Sequence, residues 1–174
     1  MASLTSKLGA LRQLLLAPSR PEGAIIVVYP PEQELGFRAG YQDLIEELKA
    51  AQCPVCVIDL RTTVFDLLAE RGLLERAFSL DAAGSRDMHA NLSSMVLSEA
   101  VALLRKAAQA SPDHLLLIRQ PAALYPWISY SSLLSEIEGE IRNTIVLPFP
   151  GTENGPELRF LDNKDGYNYR AARI

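Results

Sequence analysis

Four short apolar runs, at residues 24–29, 54–60, 114–118 and 144–149, are separated by stretches long enough to hold helices. The runs are rich in Val, Ile and Leu and lack polar alternation. Each therefore reads as a strand buried on both faces. Parallel strands cannot be joined by a tight turn and need a crossover, usually a helix. The intervening segments supply one each. Residues 38–51 place Leu44, Ile45 and Leu48 on one face, and residues 88–110 repeat Leu97, Val101, Leu104 and Ala108 at helical spacing. Residues 62–78 read as helical with a break at Gly72, residues 79–87 as a loop, and residues 133–141 as a further helix. The series from 24 to 60 predicts a right-handed crossover whose two strands pair in parallel. The alternation as a whole predicts an α/β three-layer sandwich around a mainly parallel sheet.

Both ends depart from that rhythm. Leu4, Leu8, Leu11 and Leu15 form the stripe of an amphipathic N-terminal helix, which Pro18 and Pro21 end. After Pro150, residues 151–155 carry a turn signal, residues 158–161 a strand folding back as a hairpin, and residues 163–166 another turn. Residues 167–174 are expected to form an edge strand or an ordered tail. With 174 residues, 48% hydrophobic and 22% charged, the chain fits one domain over 1–174. Its parts are a helix at 1–18, a sheet core at 24–150 and a hairpin with tail at 151–174.

The net charge of −4 argues against wrapping nucleic acid, which leans on a basic surface. No apolar stretch reaches a membrane-spanning length. Residues 1–16 carry no signal-peptide cleavage pattern, so a cytoplasmic location is the expectation. Cys53 and Cys56 have C-x-x-C spacing, but the pair straddles the start of an apolar run rather than a helix N-terminus. A thiolate there lacks the stabilisation that redox chemistry requires, so both read as structural.

A phosphate site in such a fold needs a Gly-rich loop opening a helix. The first strand is followed instead by Pro30-Pro31-Glu32-Gln33-Glu34-Leu35-Gly36, and the third ends in Ile118-Arg119-Gln120 with no acidic residue for Mg²⁺. Glu32 and Glu34, at the carboxyl end of a strand, could join Asp59 of the next strand as an acid/base or metal cluster. They read equally as helix-start charges or as partners of Arg38. His89 and His114 have no ligand-type residues around them at metal spacing, and no G-x-S-x-G is present. Tyr125 and Trp127, after the third strand, suit either a partner contact or a cap on the core. Tyr167, Tyr169 and Arg170, with Arg159 and Arg173, form a second aromatic and basic cluster, interleaved with Glu157, Asp162 and Asp165. No cofactor or metal is expected.

These segments resemble the BrxB family. The matching pieces are Tyr29-Pro30-Pro31-Glu32-x-Glu34 with Arg38, Val57-Ile58-Asp59-Leu60, Ala123-Leu124-Tyr125-Pro126-Trp127-Ile128, Phe149-Pro150-Gly151, and Leu158-Arg159-Phe160 leading to Asn168-Tyr169-Arg170-Ala171. One departure is Phe149, where the family pattern carries Tyr before Pro-Gly. The resemblance implies a small component of BREX bacteriophage-resistance systems, which combine an adenine methyltransferase, a large ATPase and an alkaline-phosphatase-like protein. It implies an adaptor or assembly role, with the phosphatase-like component as the favoured partner and self-association left open. It assigns no catalytic residue. Glu32, Glu34, Arg38, Tyr125, Trp127, Gly151, Tyr169 and Arg170 are then candidates for partner contact or structure. Two alternatives stand beside it. One is a metal-dependent hydrolase or degenerate nucleotide binder using Glu32, Glu34 and Asp59; the other is a nucleic-acid-binding accessory protein.

Overall fold

A computed structural model describes residues 3–75, 79, 86–155, 157–161, 166–167 and 171–174, with the side chains of 86–89 and 166–167 outside that description. Helix α1 (Leu4–Leu16) leads to strand β1 (Gly23–Tyr29), and a 3-10 turn (Pro31–Gln33) opens α2 (Glu34–Ala50). Strand β2 (Val55–Asp59), α3 (Thr63–Glu70), α4 (Arg86–Ala110) and β3 (Leu115–Arg119) follow. A second 3-10 turn (Pro121–Leu124), α5 (Tyr130–Ile137), β4 (Thr144–Asn154), β5 (Glu157–Phe160), β6 (Gly166–Tyr167) and β7 (Ala172–Arg173) complete the order.

The main sheet runs β2-β3-β4-β1-β7 with every neighbouring pair parallel. It is covered on both faces, as the alternation of elements predicts. Ile25, Val27, Leu115, Leu117 and Val146 pack on one face with α1 and α2. Ile26, Val28, Leu116, Ile118, Ile145 and Leu147 pack on the other with α3, α4 and α5. Adjacent residues of each strand point to opposite faces, so an unbroken apolar run feeds both cores. Helix α1 lies close on α2: a Cβ at Gly40 would stand 2.6 Å from Leu8 Cδ1. Asn143, buried before β4, reaches the carbonyls of Ser111, Pro112 and His114 at 2.9, 3.1 and 2.9 Å and ties the end of α4 to the sheet.

Several boundaries differ from the sequence expectation. The two strands of the 24–60 series do not pair; β4 and β3 lie between β1 and β2. Helix α2 begins at Glu34 rather than residue 38, because Pro31 opens a 3-10 turn that leads straight into it. Arg86 and Asp87 belong to α4 rather than to a loop, while residues 80–85 lie outside the description. Helix α5 spans Tyr130–Ile137, not 133–141, since the Ser129 side chain caps it by accepting from the Ser132 N–H at 3.1 Å. Strand β4 continues through Pro148 and Pro150 to Asn154, and the turn falls at Gly155, with φ +60. Its ladder to β3 covers only Ile145 and Val146, so one edge of β4 carries no β3 partner where the prolines stand.

From Gly151 to Asn154, β4 pairs antiparallel with β5, and β5 in turn with β6. Of the expected turn at 163–166, residues 163–165 lie outside the described residues and Gly166 begins β6. Gly151 is not in the left-handed region. What requires glycine there is space: a Cβ would lie 2.1 Å from the Arg159 carbonyl oxygen and 2.7 Å from Phe149 Cε1. At the far edge, Ala172–Arg173 adds parallel to β1, and Ile174 exchanges backbone hydrogen bonds with Ile26 and Val28.

Candidate functional site

Parallel strands bring all their carboxyl ends to one end of the sheet, together with the first turn of whatever follows each strand. That is where ligands meet such sheets. Six large hydrophobic side chains are exposed among the described residues: Leu16, Leu35, Val57, Phe65, Tyr125 and Leu161. Four of them belong to this end. Leu35 is in the first turn of α2 after β1, and Phe65 in the first turn of α3 after β2. Tyr125 follows the turn after β3, and Leu161 follows β5, its N–H donating to the Pro150 carbonyl of β4 at 3.1 Å. Leu35 is the most open, at 81% exposure. Backbone strain gathers here too. Gln120 and Leu161 have φ +51 and +48, a region that side chains other than Gly, Asn and Asp seldom occupy.

Beside Tyr125 lies an aromatic cluster. Phe149 is fully buried, edge-on to Tyr130 at 4.9 Å and to Phe160 at 5.7 Å. Tyr125 leans on Phe160 at 5.3 Å. Trp127 is half-buried against the same core. Of the two aromatics considered as anchors, Tyr125 thus presents its ring and Trp127 mostly caps.

A second group lies on the α2 face of the same end. Tyr29, Phe37 and Tyr41 stack in sequence, with centroids 3.9 and 5.3 Å apart. The Tyr29 hydroxyl donates to Glu34 Oε2 at 2.5 Å, and Arg38 Nε donates to Glu34 Oε1 at 2.6 Å. Glu34 and Arg38, four apart on α2, are therefore partners, and Glu34 is committed at both oxygens. Glu32 is exposed in the 3-10 turn. Asp59 does not join them. The interposed strands set β2 about 14 Å from β1, at three interstrand spacings. Asp59 instead accepts from the Arg61 backbone N–H at 2.9 Å and pairs with its guanidinium at 3.2 Å. The expected Glu32, Glu34 and Asp59 cluster does not form, because Asp59 is not on the next strand. Among the described residues no group of three or more His, Cys, Asp or Glu is placed to hold a metal.

Burial pushes the Tyr29 phenol well above the ordinary tyrosine range, helped by its bond to Glu34 and by that carboxylate's charge, with Arg38 opposing. Burial does the same to Tyr41, with Arg119 opposing. Both folded pKa values are raised above the unfolded one. Their contribution to stability is therefore complete below about pH 10 and lost as pH climbs beyond it. An ultraviolet titration of the chain's six tyrosines is expected to show a fraction that ionises only together with alkaline unfolding. Ionisation of all six ahead of any change in circular dichroism would refute this.

The remaining candidates separate. Cys53 and Cys56 are free thiols, one against each core cluster, in keeping with structural roles. The His114 imidazole has a buried Nδ1 without a partner among the described residues. Tyr169, Arg170 and the side chains of His89 and Tyr167 lie outside the description. A cavity of about 810 Å³ is at the opposite end of the sheet, between α5 and the start of β1. No helix among the described residues is long and apolar enough to cross a membrane.

A parallel sheet clad by helices on both faces, with an antiparallel hairpin grown from its central strand, defines an α/β protein. The family described as BREX protein BrxB matches residues 56–174, from β2 through β7. That is more than half of the chain, and the chain belongs to this family. Comparison with curated proteins and with solved structures finds no match.

Proposed function

We propose that this chain is a non-catalytic assembly component of a BREX phage-defence complex, and that the carboxyl end of its parallel sheet is the face that meets a partner. The observation that carries this reading is the gathering of Leu35, Phe65, Tyr125 and Leu161 in the turns at that one end. Exposed aromatic and aliphatic side chains over a packed base are what protein interfaces use as anchors. The family match supplies the setting. The favoured partner is the alkaline-phosphatase-like component, the location is the cytoplasm, and residues 1–174 act as one unit.

The test is co-purification of the untagged chain with a tagged phosphatase-like component, in the presence of all the other system proteins. Wild-type chain is expected to be captured. The double variant Leu35→Glu and Tyr125→Ala is expected to lose about tenfold or more in association. Its melting should stay near wild type, since both side chains are at the surface. Full capture of the double variant would remove this face from the interface, and self-association alone would replace the partner.

A further inference from the structure

On the α2 face, a narrow crevice is lined by Tyr29, Glu34, Arg38, Tyr41, Arg119 and Gln120, among others. Its volume of about 20 Å³ has room for one small polar group. Two hydrogen-bond donors in its lining have no acceptor. The Tyr41 hydroxyl is buried with no partner among the described residues, and the whole residue is 3% exposed. Arg119, a half-buried residue, makes no side-chain hydrogen bond or ion pair among them either. An arginine side chain offers only donors, so these two groups cannot satisfy each other's donor capacity. The nearest carboxylate in the lining is already taken: Glu34 accepts from Tyr29 and Arg38. Asp59, in register with Arg119 on β2, is held by Arg61. A buried donor left unmatched destabilises the fold, so the Tyr41 hydroxyl, with the Arg119 guanidinium in the same lining, favours an acceptor in this crevice. The left-handed backbone of Gln120 forms part of the same lining.

We infer that this crevice is a subsite for a single carboxylate group, supplied by an acidic side chain of a bound protein and held by the Arg119 guanidinium and the Tyr41 hydroxyl. The size excludes a nucleotide, and the net charge of −4 disfavours a polyanion. The protein source of the carboxylate rests on the assembly reading above; the subsite itself does not.

The experiment is an NMR titration of the isolated full chain with sodium acetate, at matched ionic strength, with inorganic phosphate as the comparison. Acetate is expected to give saturable shifts at the Arg119 Nε–H and the Gln120 amide. Arg119→Met should weaken binding about tenfold or more, and Tyr41→Phe roughly fivefold. The absence of saturable shifts, or shifts that survive Arg119→Met, would overturn the subsite and leave Tyr41 bonded to water. Tighter binding of phosphate than of acetate would overturn the carboxylate assignment. In the capture assay, Arg119→Met should reduce retention of the chain; undiminished retention would overturn the protein source. Failure of wild-type chain to be captured would instead count against the assembly reading, while acetate binding still decides the subsite.

Discussion

Gly151→Val separates the C-terminal hairpin from the sheet. A side chain at this position would overlap the Arg159 carbonyl, at 2.1 Å from the new Cβ, and the Phe149 ring. The carbonyl belongs to the β5 backbone and cannot rotate aside as a flexible side chain could. Strand β5 must move, and with it the cover that Leu158 and Phe160 give the aromatic cluster. The expected loss is roughly 3 kcal/mol. For a chain of this length that lowers the melting temperature by about 6–12 °C. Gly151→Ala should show much of the same loss, because the Cβ alone makes the clash. A melting temperature unchanged in both variants would mean that the hairpin accommodates a side chain and that the close approach does not matter.

Phe149→Ala is expected to be at least as damaging. The ring is fully buried and joins three elements: its own strand, Tyr130 at the start of α5 and Phe160 of β5. Truncating a buried phenylalanine destabilises by about 4 kcal/mol, through lost transfer energy and the cavity left behind. A two-state domain commonly has only about 5–15 kcal/mol in all. Denaturant midpoints compared at equal m-value would measure the loss. A difference below about 1 kcal/mol would place Phe149 in a region that collapses freely. Phe149→Tyr asks a separate question, since a hydroxyl in that packed setting needs a partner.

Much of the architecture was readable because buried parallel strands leave a local mark. Ile25, Val27, Leu115 and Leu117 on one face and Ile26, Val28, Leu116 and Ile118 on the other come from two unbroken runs. The order of the strands leaves no such mark. Which strand lies beside β1 depends on how each crossover is carried over the sheet, and so Asp59 was expected beside Glu32 and Glu34 when it lies three strands away. One proline misled for a related reason. Pro150 looks like a stop, yet it stands in β4, whose ladder to β3 has ended, whereas β1 does end before Pro30-Pro31.

The crevice residues were harder to find. Phe37 and Tyr41 continue the inward stripe of Leu44, Ile45 and Leu48 toward the helix start, and this spacing could have revealed them. Arg119 closes an apolar run, where a charged residue marks a strand end without saying what it faces. That its guanidinium and the Tyr41 hydroxyl share one lining follows only from the packing of α2 on β3.

Strand β4 belongs to two structures at once. Its first part pairs with β1 from Thr144 to Pro150 and with β3 at Ile145 and Val146, and its last part is one arm of the hairpin. No hinge residue or break in pairing insulates one half from the other. A protein that grips the hairpin therefore also takes hold of the sheet's middle. Its binding energy would be felt as resistance of the whole chain to unfolding, rather than as the quieting of a single loop.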